Sequence, residues 1–291
     1  MSVLVVGLDG SAMADAALRH AAREAAQRGI ELRIVHAFGW STLLPPAYPP
    51  YDDSELGPRA AVLDLLAKTA YAVRATWPGL SVTARLVDGA PGAVLVDASR
   101  EAELVVVGHR GIGGFAGLLA GSTAMQLAAH GFCPITVVRS AATSENGVIV
   151  LGMDGSSHAL AAADVAFSRA HRTGVDLVVL YHEAPSDADA GAVTAQIEQL
   201  GRRYSDVKYT CKGGKGSSAA TALIDTANDL DAGMIVVGTR GRGGLRGLIA
   251  GSTSRAVIEH ANCPVTVVPS DITSTTATTA SALLAGDRQE T

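Results

Sequence analysis

Aromatic residues make up only 4% of this 291-residue chain and charged residues only 18%, against 48% hydrophobic. A core built on stacked rings is therefore excluded, and Val, Leu, Ile and Ala must fill the interior. The three cysteines, Cys133, Cys211 and Cys263, are too few for a disulfide framework. No CxxC occurs, and the eight histidines show no metal-ligand spacing, so no metal site is expected. A net charge of −5 argues against a nucleic-acid binder that works by neutralising phosphates. No apolar run approaches the ~18 residues that span a bilayer, so membrane insertion is not expected. The chain opens directly on a strand-like Val3–Val6, without a basic region or cleavage site, and a cytoplasmic location is expected. There is no Gly-x-Ser-x-Gly elbow for acyl transfer, and Ser11 and Ser156 read as helix caps before nucleophiles.

What the chain does have is glycine in a pattern that occurs twice. Gly108-His109-Arg110-Gly111 is followed, after nine intervening residues, by Gly121-Ser122-Thr123. Gly238-Thr239-Arg240-Gly241 is followed at the same distance by Gly251-Ser252-Thr253. Each copy trails a short apolar run, Leu104–Val107 or Met234–Val237, and precedes a helix-like stretch. Glycines ending a strand, with Gly-Ser-Thr opening a helix, suit a loop that cradles phosphate. Backbone N–H groups approach closely, hydroxyls donate, and the helix N-terminus favours negative charge.

The duplication extends over nearly the whole chain. Val5-Val6-Gly7-Leu8-Asp9-Gly10-Ser11 matches Val150-Leu151-Gly152-Met153-Asp154-Gly155-Ser156, an offset of 145. His130 to Pro134 matches His260 to Pro264, an offset of 130. The excess in the first half falls in Phe38–Pro58, whose Pro45-Pro46 and Pro49-Pro50 indicate a long stiff loop, a surface insertion or a partial lid. Two domains are expected, over 1–140 and 147–270, joined by a short linker, with a disordered Thr-, Ser- and Ala-rich tail at 271–291.

Within the first half, strands are expected near 3–8, 31–37, 81–87, 103–108 and 134–139, and helices near 12–28, 56–76, 91–100 and 121–130. The second half has strands near 147–152, 175–181, 206–211, 233–238 and 264–269. Continuous apolar strands such as Val3–Val6 and Leu104–Val107 read as covered on both faces. The third strand of each half alternates, as an edge strand does. Right-handed crossovers then give a doubly wound parallel α/β sheet of order 3-2-1-4-5 in each half. Its switch point lies between strands 1 and 4, which brings Asp9 to Gly108 and Asp154 to Gly238. The apolar last strand of each half needs cover, most simply from its counterpart in the other half.

On these residues the chain resembles the universal stress protein family in its tandem two-domain, ATP-binding form, over about residues 2–270. The signature is Gly-x2-Gly-x9-Gly-Ser/Thr, carried intact in both halves behind the strand-1 aspartate. The resemblance implies one adenine-nucleotide site per half, taking ATP alone or with Mg2+. Asp9 and Asp154 would contact the nucleoside end, with Gly7 and Gly152 letting the nucleotide lie close to strand 1. The backbones of Ala37 and His182 would meet adenine. Gly108, Gly111, Gly113, Gly121, Ser122 and Thr123 would hold ribose and phosphates, as would Gly238, Gly241, Gly243, Gly251, Ser252 and Thr253. Arg110 and Arg240 stand in these loops, and Arg242 and Arg246 add charge to the second. The resemblance also implies a homodimer and a regulatory role read by a protein partner, with no catalytic residue assigned.

Other readings are open at this level. A slow ATPase or phosphotransferase needs a base or metal carboxylates, and each half offers one aspartate. A dinucleotide module is prompted by Gly111-x-Gly113 and Gly241-x-Gly243, but those glycines follow strand 4 where the fingerprint follows strand 1. Gly213-Gly214-Lys215-Gly216-Ser217 imitates a P-loop with the wrong spacing, and Lys215 is a decoy. Cys133 and Cys263 read as small buried hydrophobes.

Overall fold

A computed structural model describes residues 2–39, 57–111, 120–139, 147–182, 187–241 and 251–269. The proline-rich loop, the linker and the tail fall outside these residues, as do Gly113, Gly243, Arg242 and Arg246.

The first half runs β1 (Val3–Gly7), α1 (Ala12–Arg28), β2 (Glu31–Phe38), α2 (Pro58–Thr76), β3 (Val82–Asp88), α3 (Pro91–Ala98), β4 (Leu104–Gly108), α4 (Ser122–His130) and β5 (Ile135–Val138). The second repeats it as β6 (Ile149–Met153), α5 (Ser157–Thr173), β7 (Leu177–Tyr181), α6 (Asp187–Arg203), β8 (Tyr209–Gly213), α7 (Ala219–Asp229), β9 (Met234–Gly238), α8 (Ser252–His260) and β10 (Val265–Val268). The strands form one continuous sheet of order β3-β2-β1-β4-β5-β10-β9-β6-β7-β8. Each half therefore has the 3-2-1-4-5 order. Every pairing within a half is parallel, and the β5–β10 seam is antiparallel.

Local sequence explains the elements. Helix α1 starts at Ser11, whose Oγ accepts from Ala14 N at 3.1 Å, and stops at Gly29 in the left-handed region, φ 64°. Helix α5 repeats this with Ser156 and Gly174, φ 68°. Successive residues of β1 point into different layers, Val3 and Val5 to one side and Leu4 and Val6 to the other. A strand covered on both faces has no polar side, hence its unbroken apolar sequence. Strand β8 begins two residues later than the start of its sequence alternation would suggest. Val207 is buried, but its N–H closes a turn onto Tyr204 O at 3.0 Å before the ladder begins.

One helical layer covers the sheet with α3, α4, α7 and α8, and its apolar cluster runs unbroken across both halves. On the other face α1 and α2 enclose one cluster and α5 and α6 a second. The seam pairs Thr136 with Thr266, whose buried hydroxyls lie 2.8 Å apart. These two residues are equivalents, 130 positions apart, so a pseudo-twofold axis relating the halves passes between them. Cys133 and Cys263 are buried beside the seam, and burial pushes their thiols up to about 12 and about 11. They are inert packing groups.

Candidate functional site

The site is assembled where β1 and β4, or β6 and β9, run side by side and end. After β1, Leu8 N donates to Val35 O at 2.9 Å, and the chain turns through Gly10 at φ 82°. Asp9 closes that turn, its Oδ1 accepting from Ser11 N at 2.9 Å. The second half reproduces the turn, with Gly155 at φ 75° and Asp154 Oδ1 accepting from Ser156 N at 2.9 Å. An Asx turn uses one carboxylate oxygen. The other is aimed at the glycine loop: a Cβ on Gly111 would stand 2.2 Å from Asp9 Oδ2, and one on Gly241 2.5 Å from Asp154 Oδ2. Two motifs 102 residues apart in the first half and 87 apart in the second thus meet.

The loop itself is closed by backbone. His109 N donates to Val138 O at 2.9 Å, and Gly121 N returns to His109 O at 2.7 Å. In the second half Thr239 N donates to Val268 O at 2.9 Å and Gly251 N to Thr239 O at 2.8 Å. Gly121 and Gly251 then serve as the N-caps of α4 and α8, with no side-chain cap hydrogen bond. Ser122 and Ser252 are the first residues of their helices and are exposed. Each helix N-terminus therefore meets the loop through a glycine, which has no side chain with which to cap it. Thr123 and Thr253 follow, partly buried, and Arg110 and Arg240 are exposed at the rim.

The remaining glycines have packing reasons. A Cβ on Gly108 would stand 2.8 Å from the Met13 backbone carbon, and one on Gly238 2.7 Å from that of His158, so each lets the first helix of its half lie against strand 4. A Cβ on Gly7 would meet Leu95 Cδ1 at 2.8 Å, and one on Gly152 would meet Leu223 and Val237 at 3.0 Å. Aliphatic side chains thus stand beside both glycines where a Cβ would go. Ala37 lies near the carboxyl end of β2 and His182 just past that of β7, both partly buried and one strand removed from the aspartate turn.

The halves are not identical, and the duplication itself marks where, because equivalent positions differ. His109 stands opposite Thr239, Ala124 opposite Ser254 and Arg139 opposite Pro269. His109 is held below the usual imidazole range by burial, then by Arg139 and Arg110. Arg139 reaches across the seam to donate to Ile258 O at the end of α8. Ser254, buried, ties the second loop by donating to Thr239 O at 3.1 Å and Gly251 O at 3.0 Å, and Ser156 Oγ donates to Arg240 O at 3.4 Å. Among the described residues no group of three His, Cys, Asp or Glu side chains could hold a metal ion. No described helix is long and apolar enough to cross a membrane.

Fold and site together define a tandem pair of doubly wound α/β units, each with a glycine loop at its switch point. The universal stress protein family model matches residues 1–139 and 145–269, and the chain belongs to that family. It is 32% identical over 286 residues to a universal stress protein of Mycolicibacterium smegmatis, covering 91% of this chain and 96% of the relative. It is likewise 32% identical over 296 residues to one of Mycobacterium tuberculosis, covering 93% and 97%. The crystal structure of a universal stress protein from Archaeoglobus fulgidus superimposes with a TM-score of 0.75 at 20% identity, covering 92% of this chain and 98% of that one, a likeness of fold.

Proposed function

We propose that each half binds one adenine nucleotide, ATP in the first instance, and that occupancy is what the protein reports to a partner in a stress response. The observation that carries this reading is the convergence of Asp9 on Gly111, and Asp154 on Gly241, beside an α-helix N-terminus whose N-cap is a glycine. An anion there gains the helix dipole and the first-turn N–H groups. A carboxylate a few ångströms away repels phosphate, so Asp9 and Asp154 suit the hydroxyl and amino donors of the nucleoside instead. Arg110 and Arg240 at the rim suit the distal phosphates. Gly113, Gly243, Ser122, Thr123, Ser252 and Thr253 would line the phosphate path, with Ala37 and His182 at the adenine end. Any Mg2+ would arrive with the phosphates. The protein is read as a regulator, cytoplasmic and homodimeric, with domains at 1–140 and 147–270.

The test is native mass spectrometry of the purified chain, followed by acid extraction and nucleotide identification. Recovery of ATP or ADP near two per chain, lost site by site in Gly111→Ala and Gly241→Ala, supports the reading. A chain that is empty and fails to take up added ATP overturns it.

A further inference from the structure

The seam strands are indifferent to which halves pair. Thr136 faces Thr266, Ile135 pairs with Val267, and Val137 pairs with Val265, so two copies of either half would match nearly as well. The helices over the seam are different. Glu24 of α1 is only 2% exposed, and its carboxylate holds Arg28 of its own helix at 2.6 Å together with Arg169 and Arg172 of α5, the latter at 3.1 Å. Glu24 and Arg169 are 145 positions apart, the offset that relates Asp9 to Asp154. They are thus the same position of the repeat, meeting across the pseudo-twofold axis with opposite charge. Arg28 is matched by Thr173, and Arg172 by Gln27.

We propose that this charge inversion selects the pairing of halves. An amino-terminal half takes a carboxyl-terminal half, whose face presents two arginines, and rejects a copy of itself. Exchanging partners converts two mixed pairs into one pair of each like kind. The amino–amino pair sets Glu24 against Glu24. The carboxyl–carboxyl pair sets Arg169 and Arg172 against their own copies with no Glu24 to receive them. Because neither can form without the other, both penalties fall on one exchange, and burial magnifies each. A self-pairing protein must keep a position on its twofold axis self-compatible. Fusing the halves removes that constraint, and Glu24–Arg169 uses the freedom as a repulsive element against wrong partners.

The test starts from the folded full chain carrying a protease site within residues 140–146. After cleavage the protein is held in urea just below its unfolding midpoint, returned to buffer, and weighed by native mass spectrometry, which separates the three pairings. Isotope-labelled cleaved chain mixed in beforehand confirms that halves exchange. Wild type is expected to remain mixed, with like pairs ~20-fold or more below random assortment. Arg169→Glu, and independently Glu24→Gln with Arg169→Gln, give every pairing the same seam charge and should move the mixture towards random. Glu24→Arg with Arg169→Glu should restore mixed pairs. Random assortment in wild type overturns the proposal, as does persistence of mixed pairs alone in both equalised variants. Should Arg169→Glu fail to fold, the Gln pair carries the test.

Discussion

Acid should weaken this protein through one histidine before its carboxylates titrate. His20 of α1 buries Nε2 without a hydrogen-bond partner, and its pKa is lowered from 6.5 to about 3, first by burial and then by Arg169, Arg23 and Arg28. The folded pKa lies below the unfolded one, so the unfolded chain binds the extra proton. The stabilisation is complete above 6.5 and is lost as pH falls towards the folded value. Between pH 7.5 and pH 5 the loss from this residue is about 2 kcal/mol, at about 1.4 kcal/mol per unit below 6.5. That figure depends almost wholly on the unfolded pKa, because pH 5 is still well above the folded one. Urea unfolding at pH 7.5, 6.5, 5.5 and 5.0, followed by circular dichroism, measures it when wild type is set beside His20→Leu. Carboxylates titrate alike in both chains, so the difference between their pH slopes belongs to His20. Leucine also removes a buried polar atom without a partner, so the variant should match or exceed wild type at pH 7.5. Parallel curves over the whole range would refute the reasoning.

Three further outcomes follow from close contacts. Gly111→Ala places a methyl 2.2 Å from Asp9 Oδ2, and Gly241→Ala one 2.5 Å from Asp154 Oδ2; each should weaken ATP at its own site about tenfold or more, about 1.4 kcal/mol by titration calorimetry. Equal affinity at both sites in both variants would remove the loop from the site. Gly108→Ala drives a methyl into the Met13 backbone at 2.8 Å and should cost about 1–3 kcal/mol of stability, read from the urea midpoint. A wild-type midpoint would show that α1 shifts freely. Thr136→Val leaves Thr266 one partner short in a buried seam and should destabilise by about 1–2 kcal/mol; adding Thr266→Val should recover part of that, and no recovery would place the cost in shape instead of hydrogen bonding.

The doubly wound order and the meeting of each aspartate with its loop were legible in the sequence for one reason. Apolar strand texture and crossover handedness leave few ways to place Leu104–Val107 except beside Val3–Val6. That Gly121 and Gly251, and not the serines after them, cap α4 and α8 was not legible. The backbone bond from Gly121 to His109 moves the cap one residue earlier, and composition does not report loop closure. What faces Gly7 and Gly152, here Leu95 and Leu223, comes from a distant part of the chain and cannot be read at the glycines themselves. The Glu24 cluster left no local trace, since a charged residue on an Ala-rich helix reads as solvated until the opposite half covers it.

The antiparallel seam carries a geometric consequence. All five strands of one half run against all five of the other, so their carboxyl ends leave the sheet at opposite edges. The two crevices therefore open away from each other. A single chain thus carries its two glycine loops at opposite poles of one sheet, too far apart for one nucleotide to touch both.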